Sequence, residues 1–387
     1  MPSQQEYNVA KQNGRIIHTK IYLLNHKLIK VDEISGVVLD GATFTIDATS
    51  DIRRSCSISL IPKDSSFDIK QGSKIWMDKY VQIYIGIEDI KNNNEVVYTN
   101  MGIYLVNNPT QTYSASNNTL TINGIDMMAR MTGLRNGYLD GIEYQVKADS
   151  SIQGAMQSAI ELAGFTKYRI DEPTIKETPN DISISIGGTV YDILSQLAEI
   201  NANYQMYFDT NGVFYYNQIP SGDNEQIRVD DDIWQRNLIS YDTSINFEDV
   251  KNVIEVYGKT LENGDVPYGI SIDSNPESPF YIHGELGTIR IVLQGGEYDN
   301  IYSQELAEQR ADYELYLRCR LQDQITINCV PIYWLDVNWL VEITLPNKQG
   351  VEETNQYIIK NINTTLGVNG TQSITMMKYY PFYPTKI

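Results

Sequence analysis

Apolar and polar positions alternate with a period of two through most of the first third of the chain. Segments 15–24, 37–46, 54–61, 80–87, 95–106 and 118–122 are rich in Ile, Val, Tyr and Thr. Between them lie clusters that favour reversal: Asn25-His26, Asp40-Gly41, Pro62-Lys63-Asp64, Asn92-Asn93-Asn94 and Ser116-Asn117-Asn118. Short strands broken at this rhythm predict an antiparallel barrel or sandwich. The pattern stops at 133–141, where three glycines fall within nine residues.

The middle changes period. Over 151–163, Ile152, Ala155, Met156, Ala159, Ile160 and Ala163 share one helical face, and Gly164 ends the run. A second helix is predicted after Gly187-Gly188 with Thr189 as its N-cap, and Val190, Ile193, Leu194, Leu197, Ala198 and Ile200 form its stripe. Two aromatic segments, 204–208 and 213–216, then flank Asp209-Thr210-Asn211-Gly212, a hairpin signal.

The last third returns to strands at 253–258, 325–329, 339–345, 356–362 and 372–376. A long helix is predicted over 303–321, with Ser303 as its cap and Leu306, Ala307, Arg310, Tyr313, Leu317 and Leu321 at helical spacing. The two ends echo one another. Trp76-Met77-Asp78 precedes a strand, a Tyr-bearing strand, an Asn-rich turn and a final strand. Trp334-Leu335-Asp336 opens the same series. Internal duplication accounts for this, and chance likeness between two β-meanders is the competing reading. The elements amount to an α+β fold that is mainly β. Two similar antiparallel β-barrel domains, over 1–135 and 236–387, flank a small α/β module over 136–235, and the second barrel carries the long helix. Trp76 and Trp334 are expected to plug equivalent barrel corners; sugar-stacking platforms are the alternative.

Composition narrows the function. The 387 residues include 30 Lys and Arg against 49 Asp and Glu, a net charge of −19. Specific nucleic-acid binding is disfavoured, because gripping phosphate needs clustered cations. No apolar run approaches the ~18 residues of a membrane span, and Met1 to Glu6 carries no signal-peptide pattern, so neither membrane insertion nor ordinary secretion is expected. Tyr is unusually common, 28 residues against 8 Phe, which suits strands with one wet face and interfaces.

Catalytic, cofactor and metal residues are all expected to be absent. Cys56, Cys319 and Cys329 are too scattered for a disulfide framework or a zinc site, and Cys56 reads as a buried strand thiol. His18, His26 and His283 are equally dispersed. Gly187-Gly188-Thr189 lacks the Lys and spacing of a phosphate loop, and no nucleophile elbow or zinc-binding helix occurs. Asp209-Thr210-Asn211-Gly212 reads as a turn rather than a calcium loop. Asp230-Asp231-Asp232 reads as a solvated acidic turn. Carboxylates abound, but nothing singles out a glycosidase pair.

Several of these segments, taken in order, resemble the baseplate hub proteins of phage tails and contractile bacteriocins. The resemblance also extends to the N-terminal hub portion of tail-associated proteins. It rests on Asp51-Ile52-Arg53-Arg54-Ser55-Cys56, on the helix–helix–hairpin series 151–216, on Asn252-Val253-Ile254-Glu255-Val256-Tyr257-Gly258, and on the run from Gln304 through Trp334-Leu335-Asp336 to Tyr357-Ile358-Ile359-Lys360. The resemblance implies a non-enzymatic homotrimer, two barrels per chain making a pseudo-six-fold ring. Such a ring joins the tail tube or distal tail protein to a spike or tail fibre protein, near the tape-measure protein. It implies location in the virion's tail baseplate, assembly in the host cytoplasm, and DNA passing through the ring without specific binding. Residues 376–387 are too short for the hydrolase or fibre extension some members carry, so those functions would fall to other chains. A carbohydrate-binding or carbohydrate-cleaving tail β-protein is the alternative.

Overall fold

Strict alternation becomes strand wherever it was strongest. After a short helix α1 (Gln4–Val9) come β1 (Ile17–Leu24), β2 (Lys30–Ile34), β3 (Val37–Asp47), β4 (Arg54–Leu60), β5 (Tyr80–Asp89), β6 (Glu95–Ser114) and β7 (Asn117–Ile125). The structure, a computed structural model, describes residues 2–114, 117–141, 143–261, 263–320, 322–347 and 349–381. Strand β4 is typical: Arg54, Cys56, Ile58 and Leu60 are buried, while the three intervening serines are half-buried.

The middle module contains β8 (Tyr144–Val146), α2 (Ile152–Leu162), β9 (Tyr168–Ile170), β10 (Ile182–Ile184), α3 (Val190–Glu199), β11 (Tyr204–Phe208) and β12 (Phe214–Gln218). Both helices begin as their sequences predict. Ser151 Oγ accepts from Gly154 N at 3.2 Å, and Thr189 forms a reciprocal capping box with Asp192. Gly164, at φ +81°, ends α2 in the left-handed conformation that glycine tolerates. The expected stripes pack together with Phe165, Phe208, Phe214 and Tyr216 in one core.

The remaining elements are α4 (Asp231–Asn237), β13 (Leu238–Asn246), β14 (Val253–Tyr257), β15 (Tyr268–Ile272), β16 (Arg290–Leu293), α5 (Gln304–Arg318), β17 (Gln322–Cys329), β18 (Leu340–Pro346), β19 (Glu352–Thr365) and β20 (Gln372–Lys378). Ser303 caps α5 as expected. Leu321, Ser116 and the terminal Phe382, Tyr383 and Pro384 lie outside the described residues.

The fold is mainly β, with one large sheet. Its order is β13-β17-β20-β19-β3-β4-β7-β6-β5-β1-β2, and β18 pairs with β19 off this path. The strands of the two chain ends form two arms, each with its own core, and antiparallel pairing of β19 with β3 makes the sheet continuous across them. Helix α1 straddles the arms: Val9 packs in the first core and Ala10 in the second.

Two expectations for the stretch 253–321 need correction. The strand at 253–258 was expected in the second barrel. Instead β14 pairs with β15 and β16 in a separate three-stranded sheet, with a core of Ile254, Val256, Leu293, Tyr298, Ile301, Ala307 and Ala311. The face of α5 differs for the same reason. Ala307, Ala311 and Glu314 are its buried residues, rather than the leucine line, because small side chains let the helix lie close to the strand. At Gly269 an added Cβ would sit 2.1 Å from the Ala307 carbonyl oxygen. Gly269→Ala is therefore expected to push α5 off β15 and destabilise this unit by about 1–3 kcal/mol. Hydrogen exchange should accelerate across β14, β15 and α5, with the two arms unchanged; uniform protection would show the contact to be dispensable.

The tryptophans are not equivalent. Trp334 is buried in the second core, stacked on Tyr7 with ring centroids 6.0 Å apart and close to Trp339. Trp76 is only half-buried and outside the described core clusters, and its neighbour Ile75 occupies the interior. Cys56 is a buried thiol as expected, and burial pushes its pKa up.

Candidate functional site: the junction of the two arms

Strand partners repeat across the two arms. In the first, β3 pairs with β4, β4 with β7, β7 with β6, and β6 with β5. In the second, β13 pairs with β17, β17 with β20, β20 with β19, and β19 with β18. Registers match as well. Leu105 lies opposite both Tyr80 and Ile125, and Ile358 opposite both Leu340 and Met377. In both arms the long strand is irregular just beyond this point, between Asn107 and Thr110 and between Ile359 and Asn361. A β-bulge is a specific local feature, so its recurrence strengthens the echo seen in the sequence.

Where the arms meet, Asn361, Ile362, Asn363, Thr364 and Thr365 lie opposite Asp47, Ile46, Thr45, Phe44 and Thr43. Each arm inserts an apolar side chain into the other's core: Ile46 joins the second, Leu366 the first. The hairpin tip is tied down by Leu366 N donating to Ala42 O and Gly41 N to Leu366 O.

Two consecutive arginines bind this seam to the α/β module. Arg54 opens β4 and Arg53 immediately precedes it, and the two point to opposite faces, as an extended backbone requires. The Arg54 side chain is 2% exposed. It donates to the Asp336 carboxylate of the second arm and to the Phe208 carbonyl of the module. Its own amide donates to Asp126 Oδ2 at 2.9 Å. Burial is the largest influence on Arg54 and opposes its charge, but Asp336, Tyr104, Asp126 and Tyr207 together outweigh it and raise the pKa, whereas burial raises that of Asp126. On the other face, Arg53 donates to Gln205 Oε1 at 2.7 Å and lies over the Tyr207 ring. Gln205 also accepts from Asn338, whose Oδ1 accepts from Lys360 Nζ at 3.0 Å. Burial lowers the Arg53 pKa to about 10 and the Lys360 pKa to about 8. This arrangement fixes the relative placement of three units.

Asp230-Asp231-Asp232 opens helix α4 rather than forming a turn; Asp230 and Asp232 are exposed, as expected, yet all three carboxylates are engaged. Asp230 accepts from Tyr7 and Asp232 pairs with Lys11, both from the N-terminal segment, while Asp231 accepts from Thr344 N at 2.6 Å. Sequence reasoning missed α1 and α4; Ser3 and Glu6, three apart, are the capping-box signal that marks the first. Asp209 is engaged within its turn, accepting from Asn211 N and Val213 N at 2.9 Å. His18 pairs with Glu88 at 2.7 Å. Among the described residues no His, Cys, Asp and Glu side chains cluster as metal ligands, and no helix is long and apolar enough to cross a membrane.

No curated protein matches the chain. A family model described as a domain of unknown function, DUF5048, matches residues 277–383. The 43 kDa tail protein of prophage MuSo2 from Shewanella oneidensis superposes with a TM-score of 0.62 at 13% identity, covering 93% of this chain and 98% of that one. A tail protein from Neisseria meningitidis gives 0.62 at 11%, covering 93% and 96%. The E. coli protein c3393, described as a type VI secretion component with structural similarity to the T4 bacteriophage tail proteins gp27 and gp5, gives 0.50 at 8%, covering 90% and 76%. The likeness is one of fold: this chain has a fold found in phage tail proteins and in a type VI secretion component. The resemblance to tail proteins seen in the sequence holds at that level.

Proposed function

We propose that this chain is a structural, non-enzymatic hub subunit of a phage tail or tail-like particle. Three copies form a ring whose six arms meet the tail tube or distal tail protein on one side and a spike or tail fibre protein on the other. The observation that carries this reading is the repeated strand pairing on the two sides of the seam. Two like arms per chain give three chains six like positions, the arrangement that matches six-fold to three-fold neighbours. The seam, with Arg54 buried beside it and bonded to both the second arm and the module, suits a part that transmits assembly geometry. Tail proteins of the same fold favour a place in the virion baseplate, reached by assembly in the host cytoplasm, and a pore through which DNA passes is consistent with the acidic balance.

The charge of −19 per chain opposes association, and salt screens it: the Debye length falls from about 10 Å at 0.1 M to about 3 Å at 1 M. Light scattering of the full chain is expected to move from one-chain to three-chain mass as ionic strength rises. A protein that remains a monomer throughout, or settles as a dimer, overturns the ring.

A further inference from the structure

The seam inside one chain describes the joint between chains. We infer that the distal part of β6 in one copy pairs with the outer edge of β13 in the next, repeating the β19–β3 seam. This inference rests on the ring reading above and adds the joining surface and its register.

Every arm contributes two edges. In the second arm the distal part of β19, past its bulge, is taken by β3. In the first arm the equivalent part of β6 continues past the end of β5 pairing and, among the described residues, has only β7 beside it. In the first arm the outer edge of β3 is taken by β19. In the second arm β13 ends the sheet, with no strand beyond it among the described residues. One unpaired edge of each kind remains, at opposite ends of the repeat. Open edges are templates for another strand, and a head-to-tail joint using two different edges is what closes a ring of identical chains.

The side chains at these edges repeat the seam. Matching the shared pairing registers places Ile245 where Ile46 stands, Phe247 where Ala48 stands, and Tyr113 where Leu366 stands. Ile46 and Leu366, which cross the internal seam into the opposite core, are 8% and 2% exposed. Their counterparts have no core to enter within one chain: Ile245 is 49% exposed, Phe247 71% and Tyr113 81%. Large apolar side chains clustered on unpaired strand edges mark an interaction surface. The second copy is the occupant because this chain already shows how such a pair of edges fits together.

The register follows. Ala48 N donates to Lys360 O and Leu366 N to Ala42 O, so the hydrogen-bonded pairs fall at alternate positions and Thr45 opposite Asn363 lies between them. Transferred to the joint, Thr110 of one copy faces Ser244 of the next. Such non-hydrogen-bonded pairs bring Cα atoms to about 4.5 Å, within disulfide reach. In a Cys319→Ser background, Thr110→Cys with Ser244→Cys is expected to give a covalent three-chain species after mild oxidation, reversed by dithiothreitol. Thr45→Cys with Asn363→Cys should close within one chain, and Thr110→Cys with Thr243→Cys, on opposite faces, should not link. A native three-chain particle without the Thr110–Ser244 link overturns this joint while leaving the ring reading intact. Absence of any three-chain particle overturns both.

Ile245→Asp and Tyr113→Asp provide a second arm of the test. Both alter surface positions of the isolated chain, so its thermal midpoint should hold, while assembly weakens roughly tenfold or more for each. Assembly at the parent's strength by Ile245→Asp would equally overturn the joint.

Discussion

Replacing Arg54 with alanine is expected to cost the folded chain about 3–5 kcal/mol, the range for breaking a buried ion pair from one side. The loss has three parts in this structure. Asp336 is left without its guanidinium, the Phe208 carbonyl loses its donor, and the space filled by a fully buried side chain is vacated. Arg54→Lys should recover only part of this. A single ammonium on a shorter reach cannot span a carboxylate in the second arm and a carbonyl in the module, as the planar guanidinium does. Arg54→Met combined with Asp336→Leu should regain more than half, because removing both charges also removes the need to desolvate them. Thermal unfolding of the four proteins provides the measurement. Because Arg54 joins three units, the first unfolding transition should involve both arms together. A parent-like midpoint for Arg54→Ala would mean that the seam strands and their inserted side chains hold the arms without it.

That arginine shows where the sequence was informative and where it was silent. The run Asp51-Ile52-Arg53-Arg54-Ser55-Cys56 stood out, and alternation placed Arg54 on the same face as Cys56 and Ile58, an inward face. Two cations entering a strand, one of them inward, signal a buried partner. Alternation cannot say which of 49 acidic residues supplies it. The same limit explains the sheet. Period two reveals that a strand exists and which side is wet, but backbone hydrogen bonds are alike in every strand, so the junction of β19 with β3 left no local trace. The separate sheet of β14, β15 and β16 was hidden for another reason. Its strand β16 is four residues long, only one of them buried, and it reaches β14 as a parallel partner across a long connection. Val253–Tyr257 therefore read as one more strand of the nearest barrel. Helices with capping residues and clean stripes, α2 and α3, were fully legible because their signals are local. The six- and seven-residue helices α1 and α4 are too short to show a stripe. The repeated strand pairing of the two ends was legible only as an echo of turn chemistry, and the tryptophans that drew attention to it proved to be its least equivalent part.

Lys360 carries the last expectation, a stability that rises with pH over a defined window. Its amine is enclosed at the seam, where burial first, and then the nearby Arg320 and Arg53 charges, lower its pKa from the ordinary 10.5 to about 8. Below pH 8 the lysine is charged in both folded and unfolded chains, and the fold bears the whole cost of enclosing it. Between about 8 and 10.5 the unfolded chain binds more protons than the folded one, so this group's contribution to stability increases with pH. A shift of that size corresponds to about 3 kcal/mol across the window. Lys360→Met removes the cost along with the hydrogen bond to Asn338 at 3.0 Å, itself worth about 1 kcal/mol. The variant should therefore exceed the parent by about 2 kcal/mol at pH 7, with a higher thermal midpoint. The advantage should vanish by about pH 10, as the parent's amine becomes neutral in the fold. Comparing the two proteins at each pH cancels the ionisation of the many tyrosines, which both share. A difference that stays constant from pH 7 to pH 10 would show that Lys360 does not lose its proton in this range and that its charge is accommodated within the seam.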